Sequence, residues 1–344
     1  MKMTFRWYGV NDSIPLEYIS QIPNMYSVVT AIYDEPVGNV WSVEKIEKLR
    51  KIVAEKNLKM EVIESVPVHE DIKLGLPSRE KYIEAYKKNI ENLGKSGVRC
   101  ICYNFMPVLD WVRTDLYHKN KDGSTSLSYD SEQIKSMDPR NLHLPGWDES
   151  YTPKELSDLI EKYSKISKEQ LFDNLVYFLK EIMPVCERYD VNMAIHPDDP
   201  PWDIFGLPRI IVSEYWYDRL FEAVPSPRNG ITFCTGSLGA SKDNDLVKMA
   251  SKYAKRIHFA HLRQIKVDNN DNFTEAGHMT SNGSIDMYGV VKALVKSGFD
   301  GYVRPDHGRN IFGENGKPGY GLYDRALGAC YLNGLFEAIE KEGK

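Results

Sequence analysis

The chain has 344 residues, of which 42% are hydrophobic and 27% charged, the composition of a globular protein with a sizeable core. Its formal net charge is -5 and no basic cluster is present, which excludes nucleic acid as the expected partner, because binding a polyanion needs a concentrated basic face. The length suits a single (β/α)8 barrel with insertions.

The first residues and the cysteines indicate the compartment. The opening segment MKMTFRWYGVND lacks the apolar core of a signal peptide, and no later stretch approaches the ~18 apolar residues of a membrane span. The 5 cysteines are an odd number without disulfide-scaffold spacing, which fits a reducing compartment. We therefore expect a cytoplasmic protein that does not contact a membrane.

Eight short runs of β-branched or aromatic residues, each followed by polar, Gly or Pro residues, predict strands that alternate with helices. Eight parallel strands close into a TIM barrel, so we predict one α/β domain, a (β/α)8 barrel, over residues 1–344. A doubly wound open sheet is the alternative, but it would keep the last strand far from the fifth. The predicted strands are residues 3–7, 27–32, 59–63, 99–103, 192–195, 230–233, 256–260 and 301–304.

Helix signals lie between these strands. Ser42 and Ser78 are predicted N-caps, each followed by apolar residues at helical spacing. Gly94 and Gly97 are predicted to end the second of these helices. A last helix over about residues 323–340 should pack against the first and complete the ring.

One connection is far longer than the others. It runs after the fourth strand over residues 104–167, and loops of this length in compact domains are usually lids or binding segments. An oligomer contact or an elaboration on the outside of the barrel explains it equally well. Extended loops also follow strands five, seven and eight, and all of these lie on the rim where TIM barrels carry their chemistry.

Four metal-capable residues follow the last four predicted strands, directly or one residue beyond, at intervals of 38, 27 and 45 residues. Taken singly, such residues are more often structural histidines or small buried hydrophobes. Placed at successive strand ends of a closed barrel, they predict a metal-centred active site. These residues are His196, Cys234, His261 and Asp306.

The donor set alone does not select the metal. A thiolate, two imidazoles and a carboxylate suit zinc, iron(II) or manganese. A six-coordinate metal would keep two positions for substrate oxygens, as a catalytic site requires. Zinc held tetrahedrally by all four residues would instead be a closed structural site.

Several polar residues near the strand ends are further candidates. His307 follows Asp306 directly and is predicted to reach the same cleft, with helix capping as the alternative. Arg304 shares the strand parity of Asp306, so it either reaches an anionic group or pairs with a buried carboxylate. A tyrosine at position 320 or 323 can donate or accept a proton. Candidate substrate contacts earlier in the chain are Glu64, His69, Glu70, Asp71 and Asn104.

The remaining cysteines are expected to have only packing roles. Cys100 and Cys102 are two residues apart on a predicted strand and should face the barrel interior together. Cys186 and Cys330 fall on predicted helices, where we expect both to pack against neighbours.

Long segments of the chain match one known family in the same order. They are FRWYGVND, VGNVWSVEKI, ESVPVHEDIKLG, CYNFMPVLDWVRTDL, HLPGWDESYTP, MAIHPDDPP, FCTGSLGA, HFAHLR, RPDHGR and PGYGLYDRA. Over essentially its whole length the chain closely resembles the bacterial D-mannonate dehydratases of the hexuronate pathway.

The resemblance implies a xylose-isomerase-like barrel that needs Mn²⁺ or Fe²⁺ and turns D-mannonate into 2-dehydro-3-deoxy-D-gluconate and water. It also implies that proton transfer belongs to His307 and a tyrosine of PGYGLYDRA, with Tyr320 favoured and Arg304 close to the substrate. Other expected substrate contacts are His69, Asn104 and Tyr323. The family's metal ligands correspond to His196, Cys234, His261 and Asp306, of which the last can also shuttle a proton. A homodimer or higher homo-oligomer is expected.

Two other functions stay open at this point. A metal-dependent aldose–ketose isomerase would use the same barrel, but such isomerases usually have more carboxylate ligands and no thiolate, so Cys234 disfavours it. A non-catalytic barrel stapled by tetrahedral zinc would only bind sugar acids. The sequence does not decide between His307 and Tyr320 as base and acid, or between Mn²⁺ and Fe²⁺.

Overall fold

The computed structural model describes residues 1–138, 151–268 and 271–342. Within these ranges the strands form a closed parallel barrel and a smaller antiparallel sheet. In chain order the strands are β1 (Lys2–Arg6), β2 (Met25–Thr30), β3 (Lys59–Glu64), β4 (Cys100–Tyr103), β5 (Asp115–Lys119), β6 (Thr125–Tyr129), β7 (Asn192–Ile195), β8 (Asn229–Cys234), β9 (Ile257–His261), β10 (Gln264–Val267), β11 (Phe273–Ala276) and β12 (Tyr302–Arg304).

The barrel is closed by pairing of its first and last strands. Around the ring the order is β1-β12-β9-β8-β7-β4-β3-β2, and the neighbouring strands are parallel. All eight predicted strands belong to this ring, with bounds that differ by at most two residues. The predicted (β/α)8 fold is therefore confirmed, and the open doubly wound sheet is excluded because β1 pairs with β12.

Helices follow most of the barrel strands and bury their apolar faces against the outside of the ring. Among the described residues, no helix is both long enough and apolar enough to cross a membrane. The helices are α1 (Leu16–Ser20), α2 (Val43–Ala54), α3 (Glu70–Lys73), α4 (Arg79–Lys95), α5 (Ser131–Ser136), α6 (Pro153–Tyr163), α7 (Lys168–Tyr189), α8 (Glu214–Ala223), α9 (Thr235–Leu238), α10 (Leu246–Lys252), α11 (Met287–Lys296) and α12 (Tyr323–Glu342), with a 3₁₀ turn at Thr280–Asn282.

The predicted helix ends are partly correct. Ser42 caps α2, since its side chain accepts a hydrogen bond from the backbone amide of Lys45. Ser78 precedes α4 but does not cap it, because its backbone is already helical and its hydroxyl donates to Asp71. Gly97 follows α4 at a φ of 89°. Gly94 does not end the helix but lies within it, where Tyr189 approaches too closely for any side chain.

The barrel interior is filled by a small buried cluster that includes Cys100, Cys102 and Phe259. The hydroxyl of Thr232 on β8 donates to the sulfur of Cys102 on β4 at 3.2 Å, which confirms that this cysteine points inward. Cys186 is buried on α7, as predicted. The prediction for Cys330 is wrong, because its side chain is exposed on α12.

The smaller sheet covers part of the rim. Its order is β10-β11-β6-β5, so strands of the insertion after β4 pair with strands of the loop after β9. The hairpin between β5 and β6 also reaches the loop after β12, where Arg309 binds Asp122 at 2.9 Å. The insertion predicted at residues 104–167 thus contains regular structure fixed to two other rim loops. Its residues 139–150, including Trp147, lie outside the described residues.

Two buried asparagines of α4 hold the loop that follows β2. The side chain of Asn89 accepts from the amide of Trp41 at 2.6 Å and donates to the carbonyl of Asn39 at 2.9 Å. Asn92 donates to the carbonyl of Trp41 at 2.8 Å. A side chain that serves both a buried backbone donor and a backbone acceptor stabilises a loop that no sheet ladder supports.

Replacing Asn89 with alanine should lower the free energy of unfolding by about 1–3 kcal/mol, because the buried backbone amide of Trp41 loses its hydrogen-bond partner. The matched control is Lys88→Ala on the exposed face of the same helix, expected to change stability by less than about 0.5 kcal/mol. Urea unfolding of both variants measures the difference. Equal stabilities would show that the loop finds other hydrogen-bond partners.

Candidate metal centre and active site

A cleft of about 340 Å³ opens at the C-terminal ends of the barrel strands. This is the rim on which TIM barrels carry their active sites, since the loops that follow the strands converge there. The residues that line the cleft include Asn104, His196, Arg304, Asp306, His307 and Tyr320.

The structure brings the four predicted metal ligands together beside this cleft, which His196 and Asp306 line while Cys234 and His261 are fully buried. Donor atoms of His196, Cys234 and His261 lie within 4.8 Å of one another. A carboxylate oxygen of Asp306, Oδ2, is 3.8 Å from the sulfur of Cys234 and 3.8 Å from Nδ1 of His261. Their strands β7, β8, β9 and β12 are neighbours in the ring, so residues far apart in sequence meet.

Cys234 lies in an environment that favours its thiolate. Burial alone would raise the pKa of the thiol, but the positive charge of Arg263 and the neighbouring imidazole of His196 outweigh burial and lower it. The hydroxyl of Ser237 donates to the sulfur at 3.2 Å. The thiolate is the form of cysteine that binds metals, so this environment fits the predicted role of Cys234 as a ligand.

The imidazoles of His196 and His261 differ in their hydrogen bonds and in their pKa. His196 places Nδ1 2.7 Å from the carbonyl of Pro197, a contact that makes Nδ1 the donor. Although burial lowers the pKa of this imidazole, the charge of Cys234 and a hydrogen bond with it raise the pKa to about 9. Burial lowers the pKa of His261 well below its usual value, and Arg304 adds to this effect, so its imidazole is neutral. Both ring nitrogens of His261 are buried without a hydrogen-bond partner.

These donors fit a divalent transition metal. Unpaired nitrogens on a buried imidazole carry an unfavourable desolvation free energy that coordination of an ion would remove. A second group, Glu64, Cys102 and His261, has donor atoms at similar spacing. Its cysteine is a poorer ligand, because burial raises the pKa of Cys102 well above its usual value and the thiol stays protonated.

Asp306 sits in a constrained turn just beyond β12. Its φ of 55° lies in the left-handed region, which aspartate tolerates better than bulkier residues do. Nε2 of His278 donates to the carbonyl of Pro305 at 2.6 Å and so fixes the start of this turn. Although burial raises the pKa of Asp306, Arg304 and other nearby positive charges lower it far more, and the carboxylate is ionised.

Arg304 serves as a buried partner of carboxylates, one of the two roles left open by its position in the sequence. It pairs with Asp306 and donates to Oε1 of Glu64 at 3.0 Å. It also lines the cleft together with Glu64.

His307 and Tyr320 form one hydrogen-bonded pair in the cleft. Nε2 of the imidazole is 2.7 Å from the phenol oxygen, and Nδ1 is 3.2 Å from Oε1 of Glu275. Burial raises the pKa of Tyr320 well above its usual value, so the phenol keeps its proton. The alternative of helix capping for His307 finds no support, because both ring nitrogens face these side chains.

Four buried charged residues beside the pair were not identified from the sequence. Arg113 bridges Asp199 at 2.9 Å and Glu275 at 3.0 Å, and Arg263 binds the same two carboxylates. Asp199 and Arg263 occur in MAIHPDDPP and HFAHLR beside predicted ligands, which was an available signal. Glu275 lies in a long loop whose sequence does not indicate that a strand places it here.

Other predicted contacts lie elsewhere or have other partners. Nδ1 of His69 accepts from the amide of Asp71 at 3.1 Å, and its ring stacks on Tyr82 at 3.5 Å outside the cleft. Tyr323 is 46% exposed, and its ring contacts Phe312. In this arrangement neither His69 nor Tyr323 reaches the cleft. Glu70 is buried with Lys73 at 2.7 Å, whereas Asn104 does line the cleft.

Comparison with known proteins identifies the family of the chain. The family model for D-mannonate dehydratase (UxuA) matches residues 1–344. The mannonate dehydratase of Oceanobacillus iheyensis is 51% identical over 342 residues, which cover 99% of this chain and 98% of that protein. The crystal structure of mannonate dehydratase from Streptococcus suis serotype 2 is 48% identical with a TM-score of 0.94, covering 100% of this chain and 96% of that one.

The fold extends to more distant proteins. A xylose isomerase domain protein from Planctomyces limnophilus superposes with a TM-score of 0.54 at 13% identity, over 99% of this chain and 98% of that one. At such low identity the likeness shows only a shared barrel fold. The family model and the relatives near 50% identity, in contrast, match essentially the whole chain. The chain therefore belongs to the D-mannonate dehydratase family.

Proposed function

We propose that this protein is a metal-dependent hydro-lyase that converts D-mannonate to 2-dehydro-3-deoxy-D-gluconate and water. Family membership over the full length supports this activity. The observation that carries the proposal is the convergence, in one cleft, of four metal donors with a hydrogen-bonded histidine and tyrosine. The proposed ligands of Mn²⁺ or Fe²⁺ are His196, Cys234, His261 and Asp306.

The reaction has two difficult parts. The C2 proton is weakly acidic because its removal places charge next to a carboxylate that is already negative, and the C3 hydroxide is a poor leaving group. A divalent cation at the proposed site supplies Lewis-acid stabilisation of the charge that develops on the substrate oxygens. The side chains of the protein must then move one proton away from C2 and deliver one to the oxygen on C3.

His307 and Tyr320 are placed to move these protons. Both line the cleft, and their 2.7 Å hydrogen bond makes them a single relay. Because the elimination removes one proton and delivers another, a connected pair can return to its starting state within one turnover. Correctly placed acid and base groups each contribute roughly 10²–10⁴ in rate.

The remaining cleft residues suit a sugar acid. The guanidinium of Arg304 lines the cleft while it pairs with Asp306 and Glu64, and from there it can also contact the carboxylate of the substrate. Asn104 presents an amide that can both donate to and accept from a sugar hydroxyl. Asp306 would hold the metal, and its carboxylate can also assist proton transfer.

We also propose a cytoplasmic homo-oligomer. Four of the free cysteines are buried, an arrangement compatible with a reducing compartment. Three large apolar side chains are exposed near the start of α12, Phe312 at 81%, Tyr323 at 46% and Leu327 at 55%. Such exposed side chains close together support a surface for a second copy of the chain.

Purified protein incubated with Mn²⁺ and D-mannonate should form a 2-keto-3-deoxy acid. Chelation should abolish turnover while circular dichroism shows a folded barrel, because the core is large enough to stand without the ion. Activity should return with Mn²⁺ or Fe²⁺. Restoration by zinc alone, or unfolding of the metal-free protein, would contradict an open catalytic site and favour the zinc-stapled alternative.

Cys234→Ser should lose most of its bound metal, because a neutral hydroxyl replaces the thiolate. Metal content is measured on the purified variant by elemental analysis. The control is Cys330→Ser on the surface of α12, which should keep full metal content. Peroxide should inactivate the wild type, and bound metal should protect it from oxidation. Full metal content and turnover in Cys234→Ser would show that the ligand assignment is wrong.

His307→Asn and Tyr320→Phe should keep stoichiometric metal but lower kcat by about 10²-fold or more, because they remove proton transfer and not coordination. The control Tyr323→Phe, outside the cleft, should turn over like the wild type. Exchange of the C2 proton with deuterated solvent identifies the base, since only the variant that lacks the base should fail to exchange. Near wild-type turnover in both variants would shift the proton-transfer roles to Asp306 or another rim residue.

A further inference from the structure

The orientation of His307 depends on a residue from the smaller sheet. Glu275 lies on β11, is 2% exposed, and places Oε1 3.2 Å from Nδ1 of His307. The other ring nitrogen of the histidine, Nε2, is 2.7 Å from the phenol oxygen of Tyr320. The three side chains therefore form a line that runs from the sheet into the cleft.

The charge of Glu275 decides which nitrogen of His307 carries the proton. Burial alone would raise the pKa of this carboxyl, but Arg263 and a hydrogen bond from His307 lower it to about 2, so Glu275 is ionised. An ionised carboxylate only accepts hydrogen bonds. Nδ1 of His307 must then be the donor, so in the tautomer with one ring proton Nε2 is the acceptor for the hydroxyl of Tyr320.

The carboxylate itself is held from two sides. Nη2 of Arg113 donates to Oε1 at 3.0 Å, and Arg263 binds the same oxygen. Arg113 comes from the insertion after β4, and Arg263 lies between β9 and β10. Because both guanidinium groups are fully buried and always charged, they fix the position of Oε1 and keep its charge.

We propose that Glu275 is a positioning residue for the dehydration, which acts by holding His307 in the tautomer with its proton on Nδ1, so that Nε2 can exchange a proton with Tyr320. The inference rests on the proposed function and adds to it a residue from outside the barrel. The smaller sheet then belongs to the catalytic apparatus, since it supplies the group that orients the histidine.

The test is a double-mutant cycle on the metal-loaded enzyme. Glu275→Gln keeps the shape of the side chain, but its amide can donate to Nδ1 and so favours the other tautomer. Loss of the correct tautomer should lower kcat by roughly 10²–10⁴-fold with little change in KM. In the His307→Asn background the same substitution should change kcat by less than about 3-fold, because the group through which it acts is gone.

The control for the sheet is Tyr129→Phe. This side chain stacks on Phe273 of β11 and accepts a hydrogen bond from Trp202, but it does not touch His307. It should keep wild-type kcat even if the melting temperature falls. Glu275→Asp, which keeps the charge, should retain at least about 10-fold more activity than Glu275→Gln, and it replaces that variant in the cycle if the glutamine protein does not fold.

Specific results would overturn the inference. They are wild-type kcat in Glu275→Gln, a loss that is fully additive with His307→Asn, or a loss of bound metal from the Glu275 variants, which would show that the residue acts on the ligands. An inactive wild type would overturn the proposed function and this inference together, whereas an active wild type with an active Glu275→Gln overturns the inference alone.

Discussion

The buried guanidinium of Arg263 is the interaction on which the rim of this barrel depends. It binds Asp199, Glu275 and Asp306 and donates to Ser237, with its side chain 1% exposed. A guanidinium does not lose its proton in a protein, and an uncompensated one buried at this depth is penalised by several kcal/mol. Carboxylates must therefore surround Arg263, and they come from the loops after β7, β9 and β12.

This requirement links the metal centre to the smaller sheet. Arg263 favours the thiolate of Cys234 and also binds Asp306, so it acts on two proposed ligands at once. It binds Glu275 as well, so the same charge reaches His307 through one further side chain. Buried ion pairs of this kind are weak evidence for stability, because desolvation offsets much of their attraction. The ion pairs of Arg263 instead fix geometry, since each carboxylate has only one position in which it can bind the guanidinium.

The fold and the convergence of the four proposed metal donors could be predicted from sequence because both depend on local signals. A strand such as β8 is recognised as a short apolar run, and Cys234 lies at its end. Because the barrel is closed, this position is equivalent to that of His261 at the end of β9. Glu275 has no such signal. Its burial depends on the pairing of β11 with β6, a contact between two insertions more than 140 residues apart, and no local pattern specifies that pairing.

The errors have similar causes. Ser78 has the right residue type at the right place for a cap, but Asp71 competes for its hydroxyl. His69 lies after β3, as a rim residue should, yet stacking on Tyr82 turns its ring away from the cleft. In both cases the local sequence pattern was interpreted correctly, but a tertiary contact gave the side chain a different partner.

Closure of the ring between β1 and β12 has a consequence for synthesis. The hydroxyl of Thr4 on β1 bonds the carbonyl of Val303 across 299 residues, so the ring cannot close until nearly the whole chain has left the ribosome. Until then β1 and β9 are open sheet edges in a nascent chain, and unpaired edges of buried parallel strands promote association between chains. This fold is therefore most prone to aggregation during translation, while the edges of β1 and β9 are still unpaired.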